Sequence, residues 1–440
     1  MPLKVLIVGA GVCGPAIALF LQRSNPKHSI TVIERSPALR TGGQQIDLKE
    51  QGIPIMEKTG LLERIRELCV NEGGMEIVDK SGSTIMRFGI TPAGGKSNQA
   101  FELTNEFEFM RGDMVRLFYD TTLSERNSIV SQGEREGSLS YEFNKTITTL
   151  DQSSPHSVTV TFSDNTTSTY DLVIAADGQS SRTRRLAFGQ ETSTSSFKSL
   201  NIHAAYYNIP RLATESSLAR VYFAPGNRMV VTRTGDRPLT QIYFFLMRDQ
   251  ARSAHMRDVL SQPIAQQKDA WTQQYRDAGW ECPRFLENLH AVDDFYACEI
   301  AQVKMPQGVL HKGRVVLLGD AGYCPSAFTG MGTTLALIGA YVLAGELEKN
   351  SANVDAALDA YTQTMQQPIQ ECQKLAFGVG GGLFPSSELG IRAVNGLLWG
   401  MSCLRVDRLL KWIAGFLPEE KGRWEIPEYE GFGLEGRKGA

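Results

Sequence analysis

The sequence predicts an α/β fold: a Rossmann-like domain that the chain enters more than once, an inserted domain built on an antiparallel sheet, and C-terminal helices. Three observations predict it. Lys4-Val5-Leu6-Ile7-Val8 reads as a buried strand and runs through Gly9-Ala10-Gly11-Val12-Cys13-Gly14 into a helix-like stretch from Ala16 to Arg23. Strand-like runs separated by turn signals fill residues 200–247, the pattern of consecutive hairpins. Late in the chain Arg314-Val315-Val316-Leu317-Leu318 is again a continuous apolar strand, of the kind buried on both faces of a parallel sheet.

The bulk properties bound what such a chain does. At 440 residues it exceeds one core, so two or more lobes are expected. A formal net charge of −3 argues against broad binding of nucleic acid, which needs a basic face. The seven cysteines (13, 69, 282, 298, 324, 372 and 403) form no CxxC pair and the chain holds only six histidines, so neither a disulfide scaffold nor a metal site is expected. A strand that begins at residue 4 leaves no room for a secretory leader, and no run of about 18 apolar residues spans a bilayer. A cytoplasmic protein without a transmembrane segment is the expectation.

In chain order, the first glycine permits the tight turn after the strand, the second lets backbone approach a pyrophosphate, and the third lets helix and strand pack closely. A second strand, Ser29 to Ile33, ends at Glu34, 20 residues after Gly14, where an acid would read a ribose hydroxyl. Arg40-Thr41-Gly42-Gly43 reads as a loop that approaches something closely, or as a plain surface turn. Residues 53–68 look helical, Met75 to Phe88 reads as a hairpin about Asp79-Lys80-Ser81-Gly82, and 91–100 as a surface loop. Arg111 precedes a helix for which Asp113 is a plausible N-cap. Val158, Val160 and Phe162 alternate in a hairpin, and the buried strand Tyr170 to Ala176 ends in Asp177-Gly178-Gln179-Ser180-Ser181-Arg182-Thr183-Arg184. A polar helical region follows the sheet at about 253–278, and Gly330-Met331-Gly332 frames the N-terminus of an apolar helix from Thr333 to about Glu348. Leu397, Leu398, Met401, Leu404, Leu409, Leu410 and Ile413 mark amphipathic tail helices, which either pack on the body or lie on a membrane surface.

Three buried strands thus end at Gly9, Asp177 and Gly319-Asp320. G-x-G-x-x-G with Glu34-Arg35, D-G-x-x-S-x-x-R from Asp177 to Arg184, and Gly319-Asp320-Ala321 with Gly330-x-Gly332 together resemble the single-component (class A) FAD-dependent monooxygenases of the para-hydroxybenzoate hydroxylase type. Gly42-Gly43 with Ile46-Asp47-Leu48, and Lys58-Thr59-Gly60-Leu61-Leu62, resemble the tetracycline-inactivating flavin monooxygenases and fungal biosynthetic relatives within that family. The resemblance spans roughly residues 3–375. It implies a Rossmann-like FAD-binding domain (GR2-type) formed by 1–76, 101–185 and 290–375, a substrate-binding domain formed by 77–100 and 186–289, and a C-terminal helical region from 376 to 440.

It also implies roles. Gly9, Gly11 and Gly14 would carry the FAD pyrophosphate, Glu34 the adenosine ribose and Arg35 the adenine side. Arg40, Gly43 and Arg111 would lie against the cofactor, Asp320 would hold the ribityl chain, and Asp177 would serve both FAD and NADPH or NADH, the co-substrate. Gly330, Met331 and Gly332 would face the flavin pyrimidine edge. His203, Arg228 and Tyr243 would contact the substrate; for His203 and Arg228 a purely structural place on a strand is the competing reading. The implied activity is NAD(P)H-consuming hydroxylation of a small aromatic or polyketide-like substrate through a flavin C4a-hydroperoxide, by a monomer or weak homo-oligomer. Epoxidation or Baeyer–Villiger oxygenation of a non-aromatic secondary metabolite, and a non-catalytic flavin-binding protein, stand as alternatives. A halogenase is disfavoured, since of W-x-W-x-I-P only Trp424-Glu425-Ile426-Pro427 is present. Tyr323 and Ala327 replace the family's usual His and Pro.

Overall fold

The computed structural model describes residues 1–40, 42–89, 107–247, 249–375, 386–404 and 424–429. The loop expected at 91–100 and the tail positions Leu409, Leu410 and Ile413 lie outside them. The chain opens with β1 (Lys4–Val8), α1 (Cys13–Ser24) and β2 (Ser29–Ile33), a parallel pair joined by a helix. β3 (Gln45–Asp47) leads into α2 (Gly52–Lys58) and α3 (Leu62–Leu68). These two short helices replace the single one expected at 53–68, because Gly60 between them sits at φ +68°, outside the helical region. β4 (Met75–Val78) and β5 (Thr84–Phe88) form the expected hairpin. β6 (Glu108–Met110) pairs antiparallel with β3 and enters α4 (Arg111–Ser131). Asp113 is not the N-cap of α4: the helix starts two residues earlier, and Asp113 lies in its first turn, where its charge still faces the helix dipole.

β7 (Ser138–Glu142) precedes a three-stranded meander of β8 (Ile147–Asp151), β9 (Val158–Phe162) and β10 (Thr167–Tyr170). β11 (Leu172–Ala175) is followed by α5 (Arg182–Phe188) and α6 (Gln190–Ser196). The antiparallel strands are β12 (Phe197–Pro210), β13 (Ala219–Ala224), β14 (Arg228–Arg233) and β15 (Leu239–Leu246). The polar helical region resolves into α7 (Gln250–Leu260), α8 (Ile264–Tyr275) and α9 (Cys282–Leu289). β16 (Tyr296–Val303), β17 (His311–Lys312), β18 (Val315–Leu317) and α10 (Asp320–Tyr323) come next. A 3-10 turn at Ala327–Thr329 precedes α11 (Gly332–Lys349), α12 (Val354–Cys372) and α13 (Glu388–Cys403).

Two large sheets organise these elements. The first has six strands in the order β17-β18-β11-β1-β2-β7, with β18, β11, β1, β2 and β7 parallel. α1 and α11 cover it with a core that includes Ile7, Phe20, Leu337 and Tyr341. The second has seven strands in the order β16-β12-β15-β14-β13-β4-β5. α7, α8 and α9 seal one of its faces with Trp271, Tyr275 and Phe285 packed on Val230, Phe244 and Leu246. Sheet membership differs from the sequence-drawn boundaries at two points. The 76/77 boundary cuts β4, and β16, which was grouped with the first domain, hydrogen-bonds to β12 as the edge of the second sheet. The segment 424–429 straps onto the first domain: Gln51 donates to the Trp424 carbonyl (2.9 Å), and the Tyr341 hydroxyl to that of Pro427 (2.9 Å).

Candidate active site

Because β18, β11 and β1 are neighbours, the three signature strand ends emerge side by side at one edge of the first sheet. The glycines there are demanded by space. At Gly9 (φ +107°) a Cβ would stand 2.6 Å from the Ala176 carbonyl oxygen, and at Gly14 1.9 Å from that of Gly9. At Gly11 it would meet only the Arg111 guanidinium, at 3.4 Å. Two of these glycines fit the turn to the sheet, while Gly11 keeps a surface bare. Glu34 closes the turn: its carboxylate accepts the N–H groups of Ala10 and Ser36, each at 3.0 Å. Arg35 beside it points to solvent.

Asp177 does not aim at this space. Both carboxylate oxygens are used inside their own loop, accepting from the Ser181 hydroxyl and from the Thr183 N–H and hydroxyl (3.0 and 2.9 Å). Arg184, fully buried, donates to the carbonyls of Gln179 (2.8 Å) and Ala321 (2.6 Å). The D-G-x-x-S-x-x-R string is therefore a brace that ties the end of β11 to α10, and its contribution to a ligand runs through loop shape.

Arg111 and Arg40 converge where the turn is bare. Arg111 lies along Gly43, and among the described residues neither arginine forms an ion pair within 4.0 Å. Arg40 lies over the Tyr296 ring, 5.5 Å from its centroid. Burial first, and the like charge of Arg40 second, push the Arg111 guanidinium below its ordinary value. Two such cations without a carboxylate partner fit an anionic ligand. Asp320 is accessible to solvent, yet protein crowds it enough that burial raises its carboxyl pKa. A carboxyl at a strand end that stays accessible among crowding protein is open to a ligand. At the far end Gly330 is left-handed (φ +62°) and α11 begins after Met331 with no side-chain cap, leaving its first N–H groups free for a ligand.

The three residues expected at the substrate are not brought together. Side chains alternate across a sheet, and the register pairs His203 with Leu246 and Leu246 with Arg228, on the face covered by helices. His203 is buried beside Glu299 and Arg257, with its Nε2 unpartnered, and burial depresses its pKa to about 4. Arg228 binds the carbonyls of Pro225 and Gln274 (both 2.6 Å) and the Asp277 carboxylate (2.5 Å). It staples the turn between β13 and β14 to α8. Both are corrected to structural positions. Tyr243 lies on the opposite face, where its hydroxyl accepts the Gln45 N–H at 3.0 Å.

That face is the one the first domain approaches. Tyr206, Tyr243, Phe245 and Tyr296 tile it edge to face or stacked, with centroids 5.0–6.5 Å apart, and Phe328 from the turn before α11 meets Phe245 at 5.7 Å. Beside the aromatics runs a buried polar network that no local sequence signal announced. Arg233 donates to both oxygens of Glu72 (3.1 and 2.5 Å) and to Glu108, and Gln45 links Glu108 (2.5 Å) to Gln241 (3.1 Å).

Comparison with known proteins identifies the family. Residues 2–374 match the family model described as an FAD binding domain. The chain is 39% identical over 434 residues, 98% of each chain, to the FAD-dependent monooxygenase asL6 of Sarocladium schorii. The chain belongs to the family of FAD-dependent monooxygenases. The flavin-dependent monooxygenase eupH of a Phoma species is 33% identical, with 98% of this chain and 99% of that one covered. Among solved structures, tetracycline destructase Tet(51) superposes with a TM-score of 0.72 at 25% identity, covering 98% of this chain and all of that one. The residues at this edge of the monooxygenase fit FAD: the turn at Gly11 is bare, Arg40 and Arg111 lack a carboxylate partner among the described residues, Asp320 is accessible, and α11 starts without a side-chain cap. Tyr323, in place of the family's usual His, does not disturb it. Its hydroxyl turns into the core toward that of Tyr361 (2.9 Å), and Gly339 leaves the room, since a Cβ there would sit 1.9 Å away.

Proposed function

We propose that this monooxygenase uses NADPH or NADH to hydroxylate a neutral aromatic or polyketide-like small molecule. The observation that carries the reading is the aromatic face of the second sheet, turned toward the cleft and shared by Tyr206, Tyr243, Phe245 and Tyr296 with Phe328 opposite. Such a surface orients a flat, apolar ring by stacking and excludes water from it. FAD, when bound, supplies the electron transfer from the nicotinamide and the activation of O₂.

The chain's own residues would position both partners. Gly11, Arg111 and Arg40 hold the pyrophosphate region, Glu34 the adenosine ribose and Asp320 the ribityl chain. The uncapped N–H groups at the start of α11 would stabilise the negative charge that the flavin gains on reduction. Tyr243, its hydroxyl tied to Gln45 and Gln241, would give the substrate face a fixed ring. The tetracycline destructase likeness supports a fused-ring substrate, and the fungal relatives support a biosynthetic one.

The test is a screen of phenols and aromatic polyketides with the FAD-loaded protein. The expected result is substrate-stimulated NADPH oxidation coupled to a product one oxygen atom heavier on a ring carbon. Products carrying that oxygen as an epoxide or a ring-expanded ester would replace hydroxylation with the other oxygenation chemistry. Peroxide alone with every compound would overturn the reading.

A further inference from the structure

We infer that Asp47 and Glu108 act as one acid, sharing a single proton that keeps the protein beneath the Gly330 turn electrically neutral and so favours binding of anionic FAD there. The inference rests on the FAD site described above. β3 and β6 place Asp47 directly opposite Glu108 in the antiparallel register, so the two carboxyl groups leave the sheet side by side, and the nearness of Asp47 helps to raise the Glu108 carboxyl. Two bare carboxylates side by side repel and offer each other only acceptors, so one bound proton is favoured.

The surroundings ask for the same count. Three carboxyl groups meet in the cluster, Asp47, Glu72 and Glu108, against two cations, Arg233 and Lys49. One bound proton makes the total zero. Loss of that proton leaves one uncompensated negative charge in a buried place, which is costly. The other groups facing the pair are the Tyr243 phenol, itself pushed up by burial, and the neutral amides of Gln45 and Gln241. Burial is also the first cause that raises the Glu108 carboxyl well above its ordinary value, with Asp47 and Glu72 adding to it against the pull of Arg233.

The pair reaches the cleft through Asp47. Its Oδ2 lies 2.9 Å from the Lys49 ammonium and equally far from where a Cβ on Gly330 would stand. The Lys49 backbone is clasped by the Thr334 hydroxyl in the first turn of α11 (3.0 and 2.9 Å). Charge on the pair is thus felt at the turn expected to meet the flavin, and Glu108 acts there through Asp47 as a positioning residue.

Two measurements test this, and neither is turnover. In the first, apoprotein is unfolded with urea across pH 5 to 10. A carboxyl whose folded pKa is raised contributes stability below the unfolded pKa and loses it as pH rises through the folded one. Wild type should lose stability over that window, and Glu108→Gln, whose amide N–H donates to Asp47 without a titrating proton, should lose the slope. In the second, FAD is titrated into apoprotein by flavin fluorescence. Wild-type affinity should weaken by up to tenfold per pH unit above the pair's titration, and that of Glu108→Gln should stay level. Asp47→Asn reads the same proton from the other partner if Glu108→Gln does not fold. Parallel pH profiles for wild type and both variants in unfolding would overturn the shared proton. Loss of the unfolding slope with an unchanged FAD profile would overturn its coupling to the cofactor. Failure of wild type to bind FAD at any pH would overturn the cofactor site itself, while the unfolding arm would still decide the pair.

Discussion

The three glycines of the first turn look equivalent as letters and are not equivalent as atoms. At Gly14 an added methyl would meet the Gly9 backbone carbonyl at 1.9 Å, and neither strand nor helix can yield there. Gly14→Ala should therefore destabilise the apoprotein by about 2 to 4 kcal/mol, as overpacking against backbone does. At Gly11 nothing but a guanidinium end lies nearby, so Gly11→Ala should melt within about 2 °C of wild type yet bind FAD at least tenfold more weakly, because backbone can no longer close on the phosphates. Thermal melts and FAD titrations of both variants check this, and equal melting temperatures would refute it. Arg111 carries the complementary prediction. Its charge is half-buried without an ion-pair partner, an arrangement that weakens the empty protein and strengthens the loaded one. Arg111→Met should raise apoprotein stability by about 1 kcal/mol while lowering FAD affinity ten- to a hundredfold; a variant weakened in both respects would show that Arg111 is a structural brace.

A strand exposes its two faces in alternation, so a functional assignment on a strand is only as good as its phase. The resemblance to the tetracycline-inactivating monooxygenases implied that His203 and Arg228, on strands of the inserted sheet, contact the substrate. The phase between strands was not readable, since it depends on pairings across the sheet and on a register shift between Ser199 and Ile202 in β12. With the pairing known, both fall among the helices, and the cleft side belongs to the aromatics. The consequence is measurable with any compound that stimulates NADPH oxidation. Arg228→Ala should lower stability by about 1 to 3 kcal/mol, losing two carbonyl contacts and a carboxylate contact, and should leave KM within about twofold. Phe328→Ala, at the cleft mouth and only partly buried, should raise KM severalfold with a small change in stability. The opposite pattern would return Arg228 to the substrate.

At the scale of the molecule, what was legible was what is local. Each of the three strand-end signatures lies next to its own strand, so glycine and aspartate positions alone pointed to the edge of the first sheet where β18, β11 and β1 end side by side. The edges of both sheets were harder: β7 is short and polar at the margin of the first, and β16 with its Tyr-Ala-Cys-Glu start lacks clean alternation. The network that joins the domains was invisible because its partners are far apart in sequence: Arg233 lies 125 residues from Glu108 and 161 from Glu72. The histidines show how such distant contacts set a property of the whole chain. His28 is buried at the start of β2, and its Nδ1 accepts the Leu3 N–H at 2.9 Å, so it must be neutral; burial pushes its pKa down to about 4. His203 is held near 4 as well, without a partner on Nε2. Above the unfolded value of about 6.5 neither affects stability. Below it the unfolded chain binds protons that the folded one refuses, so stability falls with falling pH until the folded values are passed. Each unit of difference is worth about 1.4 kcal/mol, so His28 alone should contribute a loss of about 3 kcal/mol between pH 6.5 and 4. The Glu108 carboxyl acts in the opposite sense: with its pKa raised by burial, stability falls as pH rises from the ordinary carboxylate range toward the folded value. Urea midpoints of wild type and His28→Asn from pH 7.5 to 4 decide the acid limb: the variant, whose amide oxygen can still accept from Leu3, should lose a large part of the slope, and an unchanged slope would mean that the acid sensitivity resides elsewhere.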